Sequence, residues 1–456
     1  MGTLLVRHAA VLVTMDDARR EIADGGLFAR DGWIERVGPT GDLPETADEV
    51  LDLRGHLVAP GLVNTHHHLY QSLTRALPAA QDVALFDWLR TLYPIWARLD
   101  PEALRLATTV GLLELAHSGC TTAADHLYLF PNGCRLDDTI AAAADVGLRL
   151  HAARGSMSLG ASSGGLPPDE LVEDEDEVLD DTLRCIDAFH DPSPGATVRV
   201  VVAPCSPFSV TTDAMRRAAE LARCRGVMLH THLLETADEV RFCRERWGRS
   251  PLEYAETVGW LGPDVWFAHG VHAAPEDVAR IAASDTGIAH CPSSNMRLAS
   301  GIAPLTAYRS AGVRVGLGVD GASSNDAGHL LAEARQAMLL ARLASASSAR
   351  AGSLLPARAA LELATRGGAA VLGRQDLGSL ERGKAADFFA MDLRRLRYAG
   401  AVHDPVAALL LCAPGDVDHT YVHGAAVIRD GHHVRLDTGR LLERHDRAAR
   451  RLVAGS

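Results

Sequence analysis

Ala59-Pro60-Gly61-Leu62-Val63-Asn64-Thr65-His66-His67-His68 is an apolar run that ends in three histidines. In an extended strand, successive side chains point to opposite faces, so His66 and His68 share one face and His67 takes the other. Two imidazoles on one face at a strand end make half of a metal site. The strand itself, residues 57–65, is the first of a series. Apolar stretches of similar length recur at 120–125, 148–154, 198–203, 227–232, 265–269, 287–291 and 313–320. Helical patterns separate most of them, at 101–117, 173–190, 212–223, 236–247, 275–283 and 303–311. Strands alternating with helices predict parallel β/α units. Eight such units in a chain of 456 residues predict an α/β fold, the (β/α)8 or TIM barrel.

Outside this series the texture changes. Strand-like pieces at 3–6, 10–13, 32–37 and 49–53 are separated by Asp, Gly and Pro, and similar pieces return at 386–391, 419–423 and 426–431. Chain termini often lie close together, so the two ends are expected to pair into one smaller composite β-sandwich domain. The expected division is 1–57 for its N-terminal part, 58–370 for the barrel, and 371–456 for its C-terminal part and a tail.

A formal net charge of -13 argues against a nucleic-acid or anionic-membrane partner. No segment reaches the roughly 18 consecutive apolar residues of a membrane helix. Met1 to Thr14 lacks the basic flank and apolar core of a secretion signal, so a cytoplasmic protein is expected. The eight cysteines are scattered without a C-x-x-C pair and read as reduced, partly buried thiols. A zinc site here must then be built from His and carboxylate. The only lysine, Lys384, lies far along the chain from the histidines. That placement disfavours a lysine-bridged pair of metals and favours a single ion.

In a (β/α)8 barrel, functional residues gather at the C-terminal ends of the strands. Among 21 histidines this rule selects His66 and His68 on the first strand, His232 on the fifth and His269 on the sixth, with Asp320 on the eighth. Their natural product is a tetrahedral or five-coordinate metal with an open position. His230 has the parity of His232 but lies deeper, so His232 is preferred. His67 and His272 are expected behind the ligands or at the surface. His290 either lines the pocket or packs. The remaining histidines, His126 among them, read as ordinary core or surface residues. Glu235 stands three residues past His232, where a carboxyl can shuttle protons beside a metal.

Together these segments resemble the amidohydrolase superfamily, in its aminohydrolase branch of nucleobase deaminases and s-triazine hydrolases. The resemblance runs in order through residues 60–68, 232–236, Ala268-His269, 319–325 and 383–388. It implies that His66, His68, His232 and Asp320 hold one Zn2+ per subunit, with Fe2+ or Mn2+ as other ions such ligands accept. It further implies that His269 orients the attacking water and steadies the oxyanion. Glu235 would protonate a ring nitrogen, and Asp320 would take the water's proton. Residues 69–76, 85–89, 124–128 and 293–298 are similar to bacterial 8-oxoguanine deaminases and, less closely, to hydroxyatrazine and triazine hydrolases.

The finer resemblance implies hydrolytic deamination of an oxidised purine. Guanine, isoguanine, a pterin or a hydroxy-s-triazine amine are the alternative substrates. Keeping both Glu235 and Asp320 favours an amine leaving group, which needs a proton that chloride does not. A catalytically silent scaffold is disfavoured because all four ligands are kept. Gln71, Trp88, Tyr128 and Arg154 are the candidate substrate contacts, against packing for Trp88 and Tyr128 and a salt bridge for Arg154. The resemblance also implies a homodimer or larger homo-oligomer.

Overall fold

The computed structural model describes residues 2–346 and 354–455. Eight parallel strands close into a barrel: Leu62–Asn64, Cys120–Leu127, Arg149–Ser156, Val198–Pro204, Met228–Leu233, Val265–His269, Gly287–His290 and Val315–Leu317. The last returns to the first through Leu317 opposite Asn64. Helices follow the strands as expected, for example Thr212–Arg225, Ala237–Trp247 and Pro275–Ala283. Pro101–His117 begins at a capping Asp100 whose side chain accepts the Ala103 N–H, with Pro101 in the first turn.

Apolar side chains from several strands, Val63, Ala124, Ala153, Val201, Ala203, Trp266 and Ala289, pack on one another with Ala369 and Val371. Residues from so many strands meet only inside the barrel, so this cluster fixes which parity of each strand faces inward.

Two expected strands are each split. Residues 57–65 were read as one strand. The chain instead runs as His56–Pro60 in the outer sheet and then, after Gly61, as Leu62–Asn64 in the barrel. Gly61 makes the changeover possible, because a Cβ there would sit 2.3 Å from the Thr121 side chain. Its N–H donates to the Asp387 carbonyl at 2.9 Å. Residues 313–320 likewise divide into Val315–Leu317 and Asp320–Gly321. The second piece pairs in parallel with His67–His68, forming a two-stranded extension at the barrel mouth.

The N- and C-terminal strands do build a second, smaller body, hydrogen-bonded as one mixed nine-stranded sheet. Residues 3–6 and 10–13 belong to one strand, Thr3–Val13, broken only by an irregularity between Val6 and Ala9 where His8 has φ 60°. Glu21–Arg30 is a strand that the sequence reading missed, since its central Asp24-Gly25-Gly26 reads as a turn. Leu85–Trp96, Leu330–Ala344 and Thr438–Ala454 are further helices not anticipated. The last buries His445, Ala448 and Leu452 along one stripe, and His445 Nε2 lies 3.0 Å from Ser72 Oγ beside the barrel mouth. Among the described residues, no helix is long and apolar enough to cross a membrane.

Candidate metal centre and active site

The barrel mouth brings His66, His68, His232 and Asp320 together, all buried. Asp320 Oδ1 lies 3.2 Å from His66 Nε2 and 3.4 Å from His68 Nε2. His68 Nε2 and His232 Nε2 are 3.1 Å apart. The opposite ring nitrogens decide what these contacts are. His68 Nδ1 lies 2.7 Å from the His126 carbonyl and His232 Nδ1 lies 2.6 Å from the Cys205 carbonyl. A carbonyl only accepts, so both Nδ1 atoms carry the proton and both Nε2 atoms present lone pairs.

The same logic reaches His66 through a relay. His230 Nδ1 donates to the Trp266 carbonyl at 3.0 Å, leaving its Nε2 as acceptor for His66 Nδ1–H at 2.8 Å. His66 Nε2 therefore also presents a lone pair, and it has no hydrogen-bond partner. Burial lowers the pKa of all three ligand histidines, that of His232 to about 3, which keeps the rings neutral. Imidazole lone pairs this close to one another and to a carboxylate oxygen repel unless a cation sits between them. Donors about 2.0–2.1 Å from a tetrahedral ion stand about 3.3 Å apart, and the observed separations of 3.1, 3.2 and 3.4 Å match. The residues thus form a buried His/Asp metal-binding cluster.

The backbone is arranged to aim this cluster. Asp320 has φ 60° and His269 has φ 75°, left-handed conformations that are costly for non-glycine residues and concentrate at functional sites. The Asp320 N–H donates to the His66 carbonyl at 3.1 Å, and the Val319 N–H donates to Asn64 Oδ1 at 2.9 Å. Ser324 Oγ donates to Asp320 Oδ2 at 3.1 Å. Asn325 Nδ2 bridges the Val319 carbonyl to the buried carboxylate of Glu333. His269 donates from Nδ1 to Asn295 Oδ1 at 3.0 Å and turns Nε2 toward Glu235, 3.7 Å from Oε2. Burial opposes protonation of His269, but the nearby Glu235 and Asp320 carboxyls outweigh it and raise its pKa. Burial pushes Glu235 up to about 7, with His269 pulling it down and Asp320 adding to the rise. Glu235 thus takes up and releases its proton near neutrality, facing His269 and Asp320.

Above the cluster lies a small cavity. His68, His232, Glu235, His269 and Asp320 form its floor, while Leu85, Trp88, Leu89, Phe208 and Leu298 give it mostly apolar walls. Three of the four candidate substrate contacts, Gln71, Trp88 and Tyr128, line it. Gln71 is buried with Oε1 unpartnered, and Gly321 makes room for it, since a Cβ there would meet that oxygen at 1.8 Å. Trp88 Nε1 is spent on the Ser323 carbonyl at 3.2 Å, so its ring, not its N–H, faces the cavity.

The fourth candidate, Arg154, is not brought to this cavity. Its guanidinium pairs with Glu173 at 2.7 Å and Asp181 at 2.9 Å, and stacks over Phe130 at 3.8 Å. Its strand neighbour Ala153 faces the barrel interior, so parity sends Arg154 outward under the helices. Replacing Arg154 with Met should cost about 3 kcal/mol of stability, since it leaves Glu173 without its cation and Asp181 with Arg184 alone. KM should not change. Urea melts and steady-state kinetics check the two halves of this expectation separately.

Other residues around the cluster are ones that the sequence pattern does not single out as site residues. His126 shares the inward parity of Ala124 and stacks on His232 with ring centroids 4.9 Å apart. His230 fixes the tautomer of His66. Asn295 orients His269, and Tyr93, whose hydroxyl is buried and unpartnered, joins the cavity wall. His67 is fully buried rather than at the surface, and its Nδ1 accepts the His68 N–H at 2.8 Å. His272 donates from Nε2 to the Ser300 carbonyl at 2.9 Å. His290 is buried and lies outside the cavity lining.

Known proteins are similar along nearly the whole chain. The chain is 49% identical over 436 residues to an 8-oxoguanine deaminase from Pseudomonas aeruginosa, covering 95% of this chain and 96% of that one. It is 40% identical over 472 residues to hydroxydechloroatrazine ethylaminohydrolase from Pseudomonas sp. strain ADP, covering 100% and 97%. The crystal structure of an atrazine chlorohydrolase from Arthrobacter aurescens TC1, complexed with zinc, matches at TM-score 0.93 and 34% identity over 98% of this chain and 100% of that one. The pattern of the amidohydrolase family matches residues 57–427, a span that holds the His/Asp cluster and Glu235. On its barrel, its converging donors and that match, the chain belongs to the amidohydrolase family.

Proposed function

We propose that the protein deaminates an oxidised purine, converting 8-oxoguanine and water to urate and ammonia, with one zinc ion held by His66, His68, His232 and Asp320. The observation that carries this reading is the pair of carboxyls on the cavity floor. Burial pushes Glu235 up to about 7, so it can carry a proton near neutrality, while Asp320 stays ionised, so the same site holds an acid and a base. Strong likeness to an 8-oxoguanine deaminase over nearly the whole chain supports the substrate.

An ion bound there supplies Lewis acidity and brings water deprotonation from a pKa of 15.7 down towards ~7. The chain's residues do the rest. Asp320 takes the proton of the attacking water. Glu235 gives its proton to the ring nitrogen beside the amino-bearing carbon, so the ring accepts the electron pair as the new C–O bond forms. His269, held by Asn295, steadies the developing oxyanion from the side facing Glu235. The proton held by Asp320 passes to the amine, the C–N bond breaks as ammonia leaves, and the hydroxyl proton of the new C–O group returns to Glu235 as the carbonyl forms.

Gln71, Tyr128 and the face of Trp88 hold the ring between apolar walls. The unpaired cysteines suit a reducing cytoplasm. A homodimer or larger homo-oligomer belongs to the same reading.

Ammonia release by zinc-loaded protein across 8-oxoguanine, guanine, isoguanine, a pterin and a hydroxy-s-triazine amine tests it. We expect 8-oxoguanine to give the highest kcat/KM. A higher value for any other ring moves the assignment to that ring, and release from none of them removes the deaminase reading.

A further inference from the structure

We propose that Glu239, which lines no part of the cavity and touches no metal ligand, is a positioning residue that sets Glu235 for proton delivery. The inference rests on the acid role given to Glu235 above. Thr236-Ala237-Asp238-Glu239 has the form of a capping box at the start of helix Ala237–Trp247. Only half of the box is present, as the Glu239 N–H donates to Thr236 Oγ1 at 3.3 Å. The returning carboxylate does not go back to Thr236. It reaches further, accepting the Leu234 N–H on Oε1 and the Glu235 N–H on Oε2, each at 2.8 Å.

That detour has a structural reason. Leu234 adopts φ 59°, and successive N–H groups around a left-handed residue form a concave nest for an anion. The fully buried Glu239 carboxyl fills that nest, with both oxygens accepting. The turn is clamped from the other side as well, where the His272 N–H donates to the Leu234 carbonyl at 2.9 Å. The Glu235 carboxyl has no hydrogen-bond partner of its own among the described residues, and His269 Nε2 stands off at 3.7 Å. Its direction is therefore inherited from the backbone, and Glu239 holds that backbone. With both oxygens of Glu239 committed as acceptors, loss of either releases one amide and lets the turn relax toward an ordinary conformation.

The test is a double-variant cycle on the zinc-loaded full chain. It measures ammonia release from 8-oxoguanine, or from whichever ring of the panel gives the highest kcat/KM. Glu239→Gln keeps one acceptor and should lower kcat on the order of 10- to 100-fold through misplacement of the acid. KM should stay within about threefold, and zinc affinity by chelator competition should be unchanged. Glu239→Asp keeps the charge but is one methylene too short to span both amides. It should show the same loss confined to kcat, and it is read by the same criteria if Glu239→Gln does not fold.

The decisive arm is Glu235→Gln combined with Glu239→Gln. A residue that acts only through Glu235 adds nothing once Glu235 is gone, so the double variant should be within about twofold of Glu235→Gln alone. Multiplying losses, wild-type kcat in Glu239→Gln, or weakened zinc binding would each overturn the role of Glu239 while leaving that of Glu235 intact. Near-normal kcat in Glu235→Gln would instead overturn the proton-delivery reading, and this role with it.

Discussion

Glu235→Gln is expected to lower kcat for ammonia release by about 10³-fold, the range of a lost general acid, while zinc stays bound. The amide fills the same space but has no acidic proton to give. Glu235 is not among the converging donors, so metal content by elemental analysis should match that of the parent. A pH signature accompanies the loss. Burial holds Glu235 near a pKa of about 7, so the protonated acid is plentiful below that pH and vanishes above it. The rate should therefore fall as pH rises through neutrality, and that limb should disappear from the residual rate of the variant. A variant that turns over at the parent rate, or one that keeps the same basic limb, contradicts the assignment.

Removing the metal should have the larger effect. Without it, neutral imidazole lone pairs and a carboxylate stand close together, and no group on the cavity floor can make water acidic near neutrality. Activity should drop by more than about 10⁴-fold on dialysis against a chelator, in keeping with the many pKa units by which a bound ion acidifies water. Because the ligands converge only in the folded chain, added zinc should also raise the melting temperature. Saturating a site to 100 times its dissociation constant adds ~2.7 kcal/mol. Activity and melting temperature should recover together on reloading, measured as ammonia release and a thermal melt on the same samples.

Much of this site could be read from strand parity and barrel geometry. His66 and His68 at one strand end, His232, His269 and Asp320 at later ends, and Glu235 just past His232 all meet at one mouth. The failures come from the same rule left unapplied. Parity around Ala153 turns Arg154 out of the barrel, and parity around Ala124 turns His126 in. The hydrophobic run at 57–65 gave no sign that Gly61 divides it between two sheets, because that break depends on the approach of Thr121, far along the chain. Glu239 matched a familiar helix-start pattern, and only the three-dimensional turn at Leu234 shows that its carboxylate serves a different pair of amides. Tyr93 and Asn295 sit on helices whose facing toward the cavity is set by packing, which no local pattern in the sequence records.

The central claim is that one metal ion, held by His66, His68, His232 and Asp320, makes this cavity a deaminase. Titrating zinc into metal-free protein while following ammonia release from 8-oxoguanine tests it most directly. The rate should rise linearly and level off at about one zinc per chain, and with Asp320→Asn the plateau should be lost. Full activity in metal-free protein, or a rate that keeps climbing to two ions per chain, would contradict it.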